Sequence, residues 1–288
     1  MTFKGFIEPY ETDEEVAALT GRLEGAVKSG YRALMDVDPL LGQNRIFDRI
    51  VGKLEALDLR YEDQCSSQYY YDLVRTLRDL NGQYDRVVEV GVYMGGASSF
   101  LAGCIGPFDY DLDLVDIGED YLRFAYERLR RMYPEAAKRV RLFHGDLASY
   151  VRHVMLAEPN RSYLVHHDGS HRFDQVVKDM ASLYYARESI LAIIAQDTHL
   201  RGPVGKLAFV DLALYAVFGT ELKFAPIGAV HGETSPLTRP NQYEGGYFMP
   251  GAAEGMVLPM AANRFVYPHP ALRIEDFLPP PAIESAAA

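Results

Sequence analysis

From residue 86 onward the chain alternates nearly pure apolar runs with amphipathic ones, and this constrains the fold more than any other feature. "VVEV" (87–90) and "ILAIIA" (190–195) are almost continuously apolar, as strands covered on both faces of a parallel sheet must be. "DLDLVD" (111–116) and "RVRLF" (139–143) alternate apolar with polar, the pattern of strands nearer a sheet edge. Tyr121 to Met132, Phe173 to Tyr184 and Leu207 to Phe218 place apolar residues at helical spacing between them. Strands that alternate with helices build a parallel sheet with helices on both faces. The expected class is therefore α/β. "LKFAPIGAV" (222–230) and "GGYFM" (245–249) are its expected last strands, joined by the loop "HGETSPLTRPNQYE".

The first part of the chain reads differently. Thr12 and Glu15 form the pattern of a capping box, followed by Val16, Leu19, Leu23, Val27 and Leu34 at roughly helical spacing. Phe47, Ile50, Val51, Leu54 and Leu57 define a second helix. Tyr70, Leu73, Val74, Leu77 and Leu80 define a third, starting near Ser66 with Gly82 as its stop. The expected organisation is an N-terminal helical cap over residues 1–82, a catalytic domain over 83–278 and a disordered tail over 279–288. The cap is the expected surface for homo-oligomer formation.

Charge and composition narrow the partners. A net charge of -11 over 288 residues opposes non-specific nucleic-acid binding, which needs a basic surface. Cys65 and Cys104 have no metal-ligand spacing and suit a reducing compartment. The start "MTFKGFIEPYETDEE" has no apolar signal core, and no run approaches the ~20 apolar residues of a membrane span. The expectation is a cytoplasmic protein, with a small-molecule partner and neither nucleic acid nor membrane.

In open α/β sheets ligands bind at the carboxyl ends of the strands, so those ends carry the functional information. The first is "EVGVYMGG" (89–96). A dinucleotide turn needs G-x-G-x-x-G, and Tyr93 stands where its second glycine would admit a pyrophosphate. A phosphate loop of the form G-x-x-x-x-G-K-[ST] is absent from the sequence. What remains is Glu89-x-Gly91-x-x-x-Gly95-Gly96. The second end is Asp116, closing "DLDLVD", where an acid can accept from ribose hydroxyls. The third is His144-Gly145-Asp146, in which Asp146 also has the form of a helix N-cap. The fourth strand, "SYLVHH", ends in Asp168-Gly169-Ser170-His171, and the fifth in Gln196-Asp197-Thr198-His199.

This ordered set resembles class I S-adenosylmethionine-dependent methyltransferases, and within them the metal-dependent small-molecule O-methyltransferases of the macrolide-sugar and catechol types. The resemblance covers residues 64 to 200 and implies a Rossmann-like, mostly parallel seven-stranded sheet. It implies S-adenosylmethionine as cofactor, held by Glu89, Gly91, Tyr93, Gly95, Gly96, Ser98, Asp116, Asp146 and Asp168. It implies Mg²⁺ on Asp168, Asp197 and Thr198, with His171 as general base beside Asp168. The chain departs from the pattern at Ala97, where the family has a serine that Ser98 or Ser99 must replace. It departs again at Thr198, a weaker ligand for a hard cation than the family's Asn or Asp.

The expected activity is methyl transfer to a hydroxyl of a small molecule, a natural product or its sugar. A metal-independent O- or N-methyltransferase and a non-catalytic binding subunit are the alternatives. His166, His167 and His199 crowd the same strand ends but lack the spacing of a zinc site. Tyr243 and Tyr247, in the late loop, are candidates for a substrate lid.

Overall fold

The computed structural model describes residues 5–9, 12–23, 36–59, 65–203, 205–206, 208–238, 243–266 and 273–278. Strand β1 (Gly5–Ile7) comes first, followed by helices α1 (Asp13–Arg22), α2 (Arg45–Ala56) and α3 (Ser67–Asp79). The alternation then runs β2 (Arg86–Val90), α4 (Gly96–Phe108), β3 (Asp111–Asp116), α5 (Glu119–Met132), α6 (Pro134–Ala137) and β4 (Val140–His144). It continues through α7 (Leu147–Tyr150), β5 (Tyr163–His167), α8 (Phe173–Ser182) and β6 (Ile190–Ala195). Last come β7 (Leu200–Arg201), α9 (Val210–Phe218), β8 (Ala225–Val230), β9 (Ser235–Pro236), β10 (Tyr247–Phe248) and β11 (Ala253–Pro259).

Eight strands form the main sheet in the order β1-β4-β3-β2-β5-β6-β11-β8. The five from β4 to β6 are parallel. β1 joins β4 antiparallel, and β11 runs antiparallel between β6 and β8. The expected parallel α/β sheet is present, with two corrections. The count is eight rather than seven, because the short N-terminal strand β1 adds an edge that the sequence reading placed in a helical region. The closing strand is β11, not 245–249; Tyr247 and Phe248 instead form β10 in a three-stranded sheet, β7-β10-β9. β11 reads "AEGMVLP", and its acid, glycine and terminal proline hide the strand.

Helices cover both faces. Phe47, Tyr70, Phe100, Leu114 and Phe124 belong to the core on one side of the sheet, and Val165, Met180, Ile193 and Leu214 to the core on the other. α2 buries Phe47, Ile50, Val51 and Leu54, one helical stripe, and Asn44 caps its start by accepting from Ile46 N and Phe47 N. Phe100 of α4 stacks on Tyr70 of α3 with ring centroids 4.3 Å apart, and on Phe47 at 5.7 Å. Thus α2 and α3 share the core of the sheet they cover. At Thr12 the capping box is formed in both directions with Glu15. Val27, Leu34 and the expected tail at 279–288 lie outside the described residues. Among the described residues no helix is long and apolar enough to cross a membrane.

The chain winds outward from β2 through β3 to β4 on one side, then resumes on the other side of β2 with β5 and β6. The carboxyl ends of β2 and β5 therefore meet where the winding reverses, the place where open α/β sheets form a ligand crevice.

Candidate functional site

The turn after β2 is built on glycine by necessity. Gly91 and Gly95 have φ of 82° and 77°, a region L side chains rarely adopt. A Cβ at Gly91 would overlap the Asp168 carbonyl, and one at Gly95 would meet Ala125 Cβ of α5 at 2.8 Å. Gly95 caps α4 and Gly96 is its first residue. Tyr93 also has a positive φ, 46°, without being glycine. Its ring is 58% exposed and packs against Tyr121. Strained backbone of this kind gathers at ligand sites.

Asp116, at the end of β3, holds this turn. Its Oδ2 accepts from Val92 N at 2.7 Å and Tyr93 N at 3.3 Å, and its Oδ1 from Gly118 N at 2.7 Å. Burial raises its pKa by more than these three bonds lower it. Ser98 faces inward: fully buried on α4, it donates to Glu89 Oε2 at 2.6 Å. Burial, reinforced by Asp168 and Asp116, drives the Glu89 pKa well up against that bond. Ser99 Oγ donates to Gly95 O at 2.8 Å. Glu89, Ser98 and Ser99 therefore support the turn from beneath, so the ligand position of the missing family serine is taken by neither serine's hydroxyl.

Beside the turn, at the ends of β3 and β4, a cavity of about 580 Å³ is lined by Leu23, Gly118, Glu119, Asp120, Tyr121 and His144. Asp146 stands at the same end but spends its carboxylate locally. Oδ1 accepts from Ser149 N at 2.9 Å, capping α7, and Oδ2 from Lys178 Nζ at 3.0 Å.

The ends of β5 and β6 bring three groups together. His171 Nε2 lies 3.2 Å from Asp168 Oδ1 and 3.1 Å from Asp197 Oδ2. One ligand atom from each of the three residues falls within 4.8 Å of the others. Asp168 is anchored by its own N–H, which donates to Val90 O at 2.7 Å. Asp197 has a φ of 56°, so like Tyr93 it is a non-glycine residue in the left-handed region. Its carboxyl is pushed up to about 6 by burial and by Asp168, against the pull of His171. For His171, burial favours the neutral ring, but Asp197 and Asp168 outweigh it and the net direction is upward.

Thr198, next in sequence to Asp197, has a structural bond of its own. Its side chain is buried and its Oγ1 donates to Ala253 O at 2.7 Å, because the residue is used to fasten the strand-six loop to β11. The other histidines have separate duties. His166 Nε2 is 2.9 Å from Tyr69 OH, His167 Nε2 is 3.0 Å from Asp179 Oδ2, and His199 stacks on Phe248 at 4.1 Å. The Tyr243 hydroxyl hydrogen-bonds His171 Nδ1. Tyr247 lies on β10, paired with Arg201 and Pro236.

Sequence reasoning did not find Glu254 on β11. It is 3% exposed, accepts from Ser66 N at 3.0 Å, Ser66 Oγ and Ala229 N at 2.9 Å, and burial pushes its pKa up to about 7. It fastens the start of α3 to β8 behind the acid cluster. An acid inside an otherwise apolar heptapeptide was the available signal.

Two cofactors can be tested against these groups. The Gly91–Gly95 cradle, closed to any Cβ and lacking a phosphate motif, fits a phosphate-free ligand such as S-adenosylmethionine. Asp168 and Asp197 offer the carboxylate oxygens a hard dication takes, whereas the Thr198 hydroxyl spends its hydrogen on Ala253 O.

No family model matches the chain, and no curated protein is similar to it. Solved structures are. Cofactor-bound Rv0187 from MTB is 16% identical, the match covering 81% of this chain and 99% of that one with a TM-score of 0.50. CalS11, a calicheamicin methyltransferase, is 13% identical over 88% of this chain and 95% of its own, with a TM-score of 0.49. A putative O-methyltransferase from Klebsiella pneumoniae is 15% identical over 77% and 92%, with a TM-score of 0.47. What the likeness to Rv0187 shows is a shared fold: a Rossmann-like, mostly parallel α/β sheet with helices on both faces.

Proposed function

We propose that the chain is an S-adenosylmethionine-dependent methyltransferase that methylates a hydroxyl of a small molecule, a natural product or its sugar. The observation that carries this reading is contiguity. The phosphate-free glycine turn after β2 abuts Asp168, and Asp168 meets His171 and Asp197 at the ends of β5 and β6. A cofactor cradle thus touches a proton-handling cluster. Support also comes from the fold shared with a cofactor-bound structure.

When bound, S-adenosylmethionine supplies an electrophilic methyl group, and Mg²⁺ supplies positive charge beside the acceptor oxygen. The residues of this chain do the rest. Gly91 and Gly95 let the turn pack tightly against Asp168 and Ala125 and so shape the cofactor's place, Asp116 fixes the turn and would face the ribose, and the cavity beside Gly118 and His144 would take the adenine. Asp168 and Asp197 would hold the cation. The methyl donor needs no activation, so the enzyme must orient the acceptor and accept its proton. His171 is the proton acceptor, and its Asp partners stabilise the imidazolium that results.

A metal-independent version is favoured by one observation. His171 Nε2 already bridges both carboxylates, and the third expected ligand, Thr198, is engaged with Ala253. The test is a methyl-transfer screen over hydroxyl compounds with labelled S-adenosylmethionine, run with and without chelator. His171→Ala should lower kcat by about 10²–10⁴, the usual contribution of a general base, at unchanged cofactor affinity. Wild-type kcat in His171→Ala would remove the base assignment.

A further inference from the structure

On the reading above, the turn after β2 seats S-adenosylmethionine, and its strained backbone has to be in place before the ligand arrives. Helix α5 is built against that turn. Tyr121, Ala125 and Arg128 stand at i, i+4 and i+7 on α5, so they share one face of the helix. Each meets a different residue of the turn. The Tyr121 ring lies against that of Tyr93 with centroids 5.2 Å apart. Ala125 Cβ stands 2.8 Å from where a Cβ on Gly95 would be, so two small residues let helix and turn come this close. Arg128, 3% exposed, donates from Nη1 to Met94 O at 2.6 Å. Met94 lies just before the Gly95 cap, and the bonding of α4 begins one residue later, with Ser99 N on Gly95 O at 3.2 Å. A buried carbonyl must find a donor, and the donor to Met94 O comes from α5.

We propose that Arg128 is a positioning residue for the cofactor: through Met94 O it holds Tyr93 in its left-handed conformation and keeps the turn shaped for S-adenosylmethionine. Asp116 accepts from Val92 N and Tyr93 N, so it fixes the peptide planes that lead into Tyr93. The guanidinium fixes the plane that leaves Met94. The two residues between them have no freedom to relax. Tyr93, with its φ of 46°, is the one that would relax first, because strain of this kind persists only where the surroundings enforce it. Burying a guanidinium costs more than burying an apolar side chain of the same length, so packing alone does not account for an arginine at this position. A bond from a charged donor is about twice as strong as a neutral one, which suits it to hold a strained turn. Tyr121 also lines the cavity beside the turn, so the face of α5 that grips the turn continues into the expected adenine wall.

The experiment is amide hydrogen exchange of the ligand-free, full-length protein, resolved to single amides. Arg128→Met keeps an apolar stem and removes the donors, Arg128→Lys keeps a cation, and Arg130→Met alters a half-exposed arginine of the same helix. Val92 N and Gly95 N report on the turn, and the buried strand β5 is the internal reference. Relative to β5, Arg128→Met should speed exchange in the turn by about 10- to 100-fold, the range for one hydrogen bond to a charged group. Arg128→Lys should do so by a smaller factor and Arg130→Met not at all. Affinity for S-adenosylhomocysteine, measured at a temperature where every variant is folded, should fall at least about threefold in Arg128→Met, because only molecules with the turn in place can bind. Unchanged exchange in the turn, or an equal rise at β5, overturns the assignment, and so does faster turn exchange with undiminished affinity. Should Arg128→Met fail to fold, Arg128→Lys decides by the same comparison. A wild type that binds no S-adenosylhomocysteine would retire the methyltransferase reading, while turn-specific exchange would leave the hold of Arg128 on the turn standing. Cofactor binding with unchanged turn exchange would do the reverse.

Discussion

His171 Nε2 stands 3.1 Å from Asp197 Oδ2, joining a residue that follows β5 to one that follows β6. Both groups prefer to hold a proton in the fold: burial and Asp168 lift Asp197 to about 6, and against burial the two acids lift His171. The pair therefore titrates as a unit. In metal-free protein the His171 ring resonance should titrate above the reference value of ~6.5, and Asp197→Asn should move that midpoint down. A raised folded pKa contributes stability that is complete below the unfolded value and is lost as pH rises through the folded one. Metal-free protein should accordingly lose stability as pH rises, first through the Asp197 value of about 6 and then from ~6.5 through the His171 midpoint. A wild-type midpoint below ~6.5 would contradict this.

Gly91→Ala should be severe. Its φ of 82° and the overlap of any Cβ with Asp168 O leave no relaxed position. The expected loss of stability is at least about 1–3 kcal/mol from backbone strain alone. Chemical denaturation measures it. Gly52→Ala, an exposed position within α2 with nothing within 4 Å of a built Cβ, is the control and should be neutral or stabilising.

Cation binding should follow the carboxylates and not the threonine. Calorimetry with Mg²⁺ should show binding lost in Asp168→Asn and Asp197→Asn and retained in Thr198→Val. Thr198→Val should still cost about 1 kcal/mol of stability, the worth of its bond to Ala253 O. Turnover should stop on chelation and return better with Mg²⁺ than with Ca²⁺, because few hard oxygens are on offer. Loss of Mg²⁺ binding in Thr198→Val would restore threonine to the ligand set.

Glu254→Ala should leave the N–H groups of Ser66 and Ala229 without their buried acceptor. An orphaned buried donor costs about 1–3 kcal/mol, so the free energy of unfolding should fall by an amount in that range. Glu254→Gln should recover part of it.

The strand ends were legible because their pattern is local. Apolar runs located β2 and β6, apolar–polar alternation located β3 and β4, and "SYLVHH" located β5. Positive φ at Gly91 and Gly95 was readable from glycine alone. Three things were not local. β1 pairs with β4 across most of the sheet's length in sequence, and three residues of pattern cannot announce that. β11 contains Glu254, whose burial makes sense only once Ser66 and Ala229 are known to reach it. The side chains of Ser98 and Thr198 sit at positions the resemblance marks as ligand-facing, yet each finds a closer oxygen, on Glu89 and on Ala253. Spacing fixes where a residue is; competition among neighbouring acceptors decides where its hydroxyl points.

The central claim is that the glycine turn and Asp116 form a cradle for a phosphate-free adenosyl ligand. Calorimetric titration of the full-length protein with S-adenosylhomocysteine, NAD and ATP tests it most directly. Binding of S-adenosylhomocysteine alone is expected, weakened by about 1.5–3 kcal/mol in Asp116→Ala, the worth of hydrogen bonds to a charged group. No binding of S-adenosylhomocysteine, or equal binding of NAD, would contradict it.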